Sequence, residues 1–280
     1  VVTTLKDFRS AARTVAMALV GVLTSIPSAL PAPVAPAAVE IAPHRAIYKM
    51  SLASARSSST VSDVRGQMMF EWADACDGWT IEQRFQLRFL YTEGDQVDMT
   101  TNYATWEAKD GQSYRFNVRK LVNGEVDEEL RGTAESHEGR PGIARYLKPE
   151  AQEIELPDGT MFPTMHTIQL LRHARAGDKV FATTVFDGSD TDGATEINTV
   201  LGLRKELAND SRFDAKLFHG ATWPVRMAFF PLTSEEAAPE YEMSLSLLEN
   251  GVAQSMLIDY GDFTVTAVLE KLESMPKPRC

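Results

Sequence analysis

The sequence predicts an all-β protein: one large, curved antiparallel sheet or barrel-like body with one main helix. Three observations carry this. Apolar and polar residues alternate with period two over long runs, the pattern of strands with one buried face. Asx-Gly pairs such as Asp110-Gly111, Asn123-Gly124 and Asn250-Gly251 separate those runs at hairpin spacing. One stretch alone combines helical spacing with a convincing stop signal.

In chain order, "HRAIYKMSLAS" (44–54) and "SDVRGQMMFEW" (62–72) read as the first two strands. "GWTIEQRFQLRFLYTEG" (78–94) alternates most clearly: Trp79, Ile81, Phe85, Leu87, Phe89 and Tyr91 share one face, with Arg, Glu, Gln and Thr on the other. Runs at 96–109, 113–122 and 125–134 continue as a meander. "PTMHTIQLLRHARAG" (163–177) reads as the helix, with Met165, Ile168, Leu171 and Leu170 as its apolar stripe, Thr164 as a possible cap and Gly177 as the stop. Strands resume at 179–188, 195–204, 223–231, 239–250, 251–261 and 263–273. So many strands at hairpin spacing argue against βαβ units, and a lone helix in such a fold commonly plugs or covers an open edge.

The first 37 residues read differently. Lys6, Arg9 and Arg13 precede an apolar run, "TVAMALVGVLTSI" (14–26), and then a Pro- and Ala-rich stretch. This is the pattern of a cleaved signal peptide, 1–37, cut near Ala35-Pro36-Ala37, with a single domain over 38–280. No cysteine follows the apolar run, so no lipid-anchor motif is present, and the expected location is periplasmic. The whole chain carries a formal charge of −11. Residues 1–37 hold Lys6, Arg9, Arg13 and Asp7, a net of +2, which leaves −13 for the remainder. That acidity argues against nucleic acid and anionic lipid headgroups as direct partners.

The two cysteines are Cys76, between Trp72 and Trp79, and Cys280, the last residue. An exported chain permits a disulfide, and two cysteines permit only one pairing. A reactive or metal-binding thiol is the alternative, but there is no C-x-x-C and no Cys/His cluster with metal spacing. A clasp that ties down the C-terminal segment is therefore the preferred reading.

Little else suggests chemistry. His166 and His173 are seven apart on the helix, too far for a shared metal, and read as helix-surface residues alongside His44, His137 and His219. "FDGSDTDG" (186–193) places Asp187, Asp190 and Asp192 near glycines, but as a calcium loop its first and twelfth positions would be Gly188 and Thr199. A solvated hairpin tip is the simpler expectation. Glu128-Glu129 and Glu235-Glu236 are adjacent, and adjacent strand residues face opposite ways. The Trp79-Phe85-Phe89-Tyr91 face reads as core, or as the wall of a cavity for an acyl chain. No nucleophile, dinucleotide, P-loop or zinc-protease motif appears, so no catalytic, metal or cofactor site is expected.

With these residues in view, the chain resembles the EipB family, periplasmic cell-envelope-integrity proteins of alphaproteobacteria. The resemblance is carried by "APHRAIYKMSLASARSSSTVSDVRGQMMFEWADACDGWTIEQRF" (42–85), "FPTMHTIQLL" (162–171), "TVFDGSD" (184–190) and the pairing of Cys76 with a terminal cysteine. It implies a long antiparallel sheet that spirals into an open, cup-like barrel, fastened by a Cys76–Cys280 disulfide. It also implies a shape similar to periplasmic lipoprotein carriers, and a link to a periplasmic tetratricopeptide-repeat protein. The expected function is non-enzymatic maintenance of the cell envelope by protein binding. The alternatives are carriage of lipid or lipoprotein acyl chains in the concave sheet, and hydrolysis of an envelope polymer.

Overall fold

The computed structural model describes residues 38–208 and 210–280. The signal peptide expected over 1–37 lies outside the described residues. Residues 38–280 form one compact unit.

The chain lays down β1 (His44–Ala55), β2 (Val61–Asp74), β3 (Gly78–Tyr91), β4 (Gln96–Ala108), β5 (Ser113–Val122), β6 (Glu125–His137), β7 (Arg140–Lys148) and β8 (Gln152–Leu156). Helix α1 (Pro163–Ala176) follows. Then come β9 (Val180–Val185), β10 (Thr195–Leu201), β11 (Lys205–Glu206), β12 (Ala221–Pro231), β13 (Tyr241–Leu248), β14 (Ala253–Asp259) and β15 (Phe263–Ser274). All fifteen belong to one antiparallel sheet, ordered β8-β7-β6-β5-β4-β3-β2-β1-β15-β14-β13-β12-β10-β9, with β11 paired beside β12. A sheet of this width does not stay open and flat; twist makes it curl. The all-β expectation of a large antiparallel sheet with one main helix is thus what the chain adopts.

The connectivity is two meanders joined twice. One runs outward from β1 to β8, the other inward from β9 to β15. They meet at the β1–β15 pairing, and α1 joins their far ends. At those far ends the chain also touches itself: Met161 N–H donates to Thr184 O and Phe186 N–H to Met161 O, both at 2.9 Å, forming a short parallel bridge to the end of β9.

One face of each strand is buried inside the curl. Ala46, Tyr48 and Met50 of β1, Val64, Met68 and Trp72 of β2, and Trp223, Val225 and Met227 of β12 all point inward. In β15 the inward set is Val265, Ala267, Leu269 and then Leu272. The broken spacing follows from a register shift where Ile47 pairs with Lys271 and Tyr48 with Leu269; the extra residue returns Leu272 to the core side. The outward face carries cross-strand ion pairs such as Arg88–Asp98 at 2.7 Å and Lys148–Glu129 at 2.7 Å.

The interior is filled from both sides. α1 packs Leu170, Leu171 and Ala174 against Trp72, Ile81, Val185 and Trp223. The segment after β9 packs Phe186 and Ala194 into the curl of β5–β8 with Tyr114, Phe116, Leu130 and Tyr146. This overturns the solvated-hairpin expectation for Phe186 and Gly188, while residues 189–192 form an exposed tip. Phe186 is fully buried, the hydroxyls of Tyr103 and Tyr114 reach Asp187 O at 2.5 and 2.9 Å, and Tyr146 donates to Asp190 O at 2.7 Å. Main-chain carbonyls, not the carboxylates, hold this loop in place.

Candidate functional site

The site is a cavity of ≈ 260 Å³ between α1 and the inner faces of β1–β3 and β12–β15. It lies where two apolar clusters meet: Phe70, Tyr241 and Met243 pack against both. An engineered cavity of about 150 Å³ in another protein's core already holds benzene, so this volume admits a small apolar ligand or a length of chain.

Strand register explains the lining. Met50 stands opposite Gly66 on one neighbour and Ala267 on the other, and Ala267 stands opposite Met256. The row Gly66–Met50–Ala267–Met256 therefore alternates residues that take little room with methionines. Gly66 cannot be larger, since a Cβ there would sit 1.9 Å from Gln86 O. Met68, Met227 and Met243 complete the wall, with Met227 and Met243 directly cross-strand. Unbranched thioether side chains adapt to irregular occupants, so a methionine-walled space can be refilled without backbone movement.

The polar atoms of the lining come from β2, β3 and α1. Trp72 is 3% exposed and its Nε1 has no partner. His166 is 7% exposed, its Nε2 has no partner, and burial pushes its pKa down to about 4, so the ring is neutral near pH 7. Gln83 adds a half-buried amide, while Tyr48 spends its hydroxyl on Ala253 O at 2.8 Å. No Lys, Arg, Asp or Glu lines the cavity.

α1 is aimed into this space by a side chain far away in sequence. Phe162 at its N-cap makes no side-chain capping bond. Instead, the Glu107 carboxylate from β4 accepts the main-chain N–H of Thr164 at 2.7 Å and of Met165 at 2.8 Å. Two of the helix's orphan donors are satisfied, and when ionised the carboxylate sets a negative charge at the positive end of the helix dipole. Glu107 is 2% exposed, and burial lifts its pKa to about 7 against the opposing pull of those N–H groups. Gly177, at φ 84°, ends the helix in the left-handed conformation.

Comparison with known proteins follows from this geometry. A family model described as EipB-like matches residues 35–276. The chain belongs to the EipB-like family. A curated relative named cell envelope integrity protein EipB, from Brucella abortus (strain 2308), is 33% identical over 243 residues, covering 85% of this chain and 86% of the relative. A solved β-barrel-like protein from Brucella abortus, described as a domain of unknown function, matches with a TM-score of 0.79 at 33% identity, over 85% of this chain and 100% of that one. The relative is named for envelope integrity and not for a reaction.

In this EipB-like chain Cys76 and Cys280 are joined through their sulfurs, 2.12 Å apart. Of the aromatic face expected on β3, Phe85 reaches the cavity. Phe89 and Tyr91 pack against the neighbouring core, and Trp79 lies against Trp72 under the Lys109 ammonium at 4.0 Å. His166 is not the helix-surface residue its sequence context suggested, and Thr164 is not the cap. His173 is exposed: it pairs with Asp178 at 2.7 Å and stacks on Phe181. Among the described residues no group of three His, Cys, Asp or Glu side chains is arranged to hold a metal ion, and no helix is long and apolar enough to cross a membrane.

Proposed function

We propose that this EipB-like chain helps maintain the cell envelope as a periplasmic, non-enzymatic protein, and that it does so by binding an apolar ligand in the methionine-walled cavity. The observation that carries this reading is the cavity itself: an uncharged, adaptable space at the centre of the curl, walled by Met50, Met68, Met227, Met243 and Met256. Apolar ligand sites are typically concave, mostly hydrophobic and equipped with a few placed polar groups. The export-type N-terminal pattern and the relative's name support the location and the role.

A second reading, binding of a partner protein such as a periplasmic tetratricopeptide-repeat protein, draws on a different surface. α1 and the Phe186–Ala194 segment occupy the inside of the curl, so a protein partner would meet the outside. There, Val180 of β9 and Val200 of β10 face each other across strands, at 68% and 54% exposure, near Leu203 at 72%.

Native mass spectrometry of protein purified from its own periplasm, without detergent or reductant, separates the two. Co-purified mass of an apolar small molecule is the expected result. A bare chain, or one that travels only with another protein, would retire the cavity reading in favour of the outer surface.

A further inference from the structure

The unpartnered polar atoms in the cavity point to the kind of ligand it takes. Indole Nε1–H is a donor only, so the unpaired Trp72 asks for an acceptor. His166 Nε2 is equally unpaired and buried. A buried donor without a partner costs about 1–3 kcal/mol. With His166 in its Nε2–H tautomer both nitrogens are donors, and an acceptor on an occupant would satisfy the two together. The charge of that occupant is restricted by what is missing from the wall. No lysine or arginine lines the cavity. The neutral His166 ring supplies no positive charge, and a carboxylate or phosphate buried here would be unpaired and strongly penalised.

The polar and apolar parts of the wall are also separated. Trp72 pairs with His44, and Gly66 of the same strand with Met50. Those rows are six positions apart along β2, or about 20 Å at strand rise. Gln83 pairs with Phe70 near the Trp72 end, and the Met50–Ala267–Met256 row closes the other. A ligand lying along β2 thus meets the Trp72 and Gln83 hydrogen-bonding groups at one end and the Met50 and Met256 thioethers at the other.

We propose that the cavity takes the head and first part of a neutral acyl compound, an ester or amide of an aliphatic acid, with its carbonyl oxygen at Trp72 Nε1 and His166 Nε2, the near part of its hydrocarbon along the methionine rows and the rest leading out of the open cavity. This rests on the reading of the cavity as an apolar-ligand site, and it excludes the free ionised acid as the preferred ligand.

The test uses the mature chain and three probes near neutral pH: monooleoylglycerol, oleate, and the hydrocarbon dye diphenylhexatriene. The expected result is that monooleoylglycerol binds at least ~10-fold more tightly than oleate. Trp72→Phe and His166→Phe should each weaken it by about tenfold and weaken the dye clearly less, as loss of one buried hydrogen bond predicts. Equal or tighter binding of oleate overturns the inference and leaves the apolar-site reading standing. So does a parallel loss of dye and ester binding in both variants, which would mark the two side chains as packing alone. Failure of the dye and the ester alike to bind the unmodified chain removes the underlying reading, and the inference with it.

Discussion

Two buried ionisable side chains at the first turn of α1, one capping it from β4 and one belonging to it, give the protein opposing responses to pH. Glu107 has a folded pKa near 7 against an ordinary 4.5, so it binds its proton more tightly when folded. Its contribution is intact below pH 4.5 and is lost as pH rises through 7, by about 3 kcal/mol at 1.36 kcal/mol per unit. His166 is shifted the other way, to about 4 from 6.5. Its contribution is intact above pH 6.5 and is lost as pH falls through 4, by a similar amount of about 3 kcal/mol. The two largely cancel between about pH 4.5 and 6.5. Glu107→Gln should therefore gain stability relative to the parent as pH rises from 4.5 to 7, and His166→Phe should lose its relative advantage over the same interval. Urea unfolding at several pH values checks this; differences of the same sign in both variants would contradict it. Neither role was legible in the sequence. Glu107 accepts a helix N–H from Thr164, 57 residues later, a distance no local capping motif spans. His166 belongs to a buried stripe with Leu170, Leu171 and Ala174. Apolar spacing picks out Met165, Ile168, Leu171 and Leu170; the two leucines are in the buried stripe, and a histidine carries no apolar signal to join them.

Among the elements, the Phe186–Ala194 segment shows how a polar-looking stretch becomes structural. Its aspartates and glycines spell a turn, and a turn with an exposed tip is what forms, but its flanks Phe186, Gly188 and Ala194 are buried against the curl of β5–β8. Gly188 sits at φ 72°, and a Cβ there would lie 2.5 Å from the Phe116 ring. Gly188→Ala should cost about 2–4 kcal/mol, combining positive-φ strain with overpacking. Gly94→Ala and Gly124→Ala make the comparison: both glycines have positive φ and open space around the missing Cβ, so only the backbone cost of about 1 kcal/mol applies. Equal unfolding free energies for all three variants would deny the segment its packed role. β7 and β8 escaped the sequence reading for a related reason. The inward residues of β7 are Gly142, Ala144 and Tyr146, and the first two are too small to register as a hydrophobic alternation. A small residue is what the site requires at Ala144, which is fully buried against the cluster that holds Phe186. The longer strands were legible because each carries large apolar side chains on one face over many residues, as β3 and β12 do.

For the molecule as a whole, the question is what keeps two meanders together. Each could form its own hairpins locally, but the β1–β15 pairing joins residues from opposite ends of the chain and gains nothing until both halves are built. Beyond β15 the last residues form no strand, and Met275 N–H to Pro43 O at 3.0 Å is their last main-chain bond to the sheet. The Cys76–Cys280 bond acts at this junction. It ties the β2–β3 turn to the tail of β15, so the covalent link passes over β1 and fastens the two strands on either side of it. Its sequence separation is 204 residues. In the chain-entropy account a loop of that length stabilises the fold by about 5 kcal/mol, which at roughly 2–4 °C per kcal/mol amounts to about 10–20 °C in Tm. Cys76→Ser and Cys280→Ser should show this loss equally, because either change opens the same loop. Reduction of the parent should reproduce it, and the double variant should be no worse than either single one. Hydrogen exchange should then rise first along β15 and β1, before the β3–β6 meander, because only the junction has lost its restraint. Unchanged melting in both single variants would mean that the β1–β15 ladder holds the halves together unaided, and the clasp would have no part in stability.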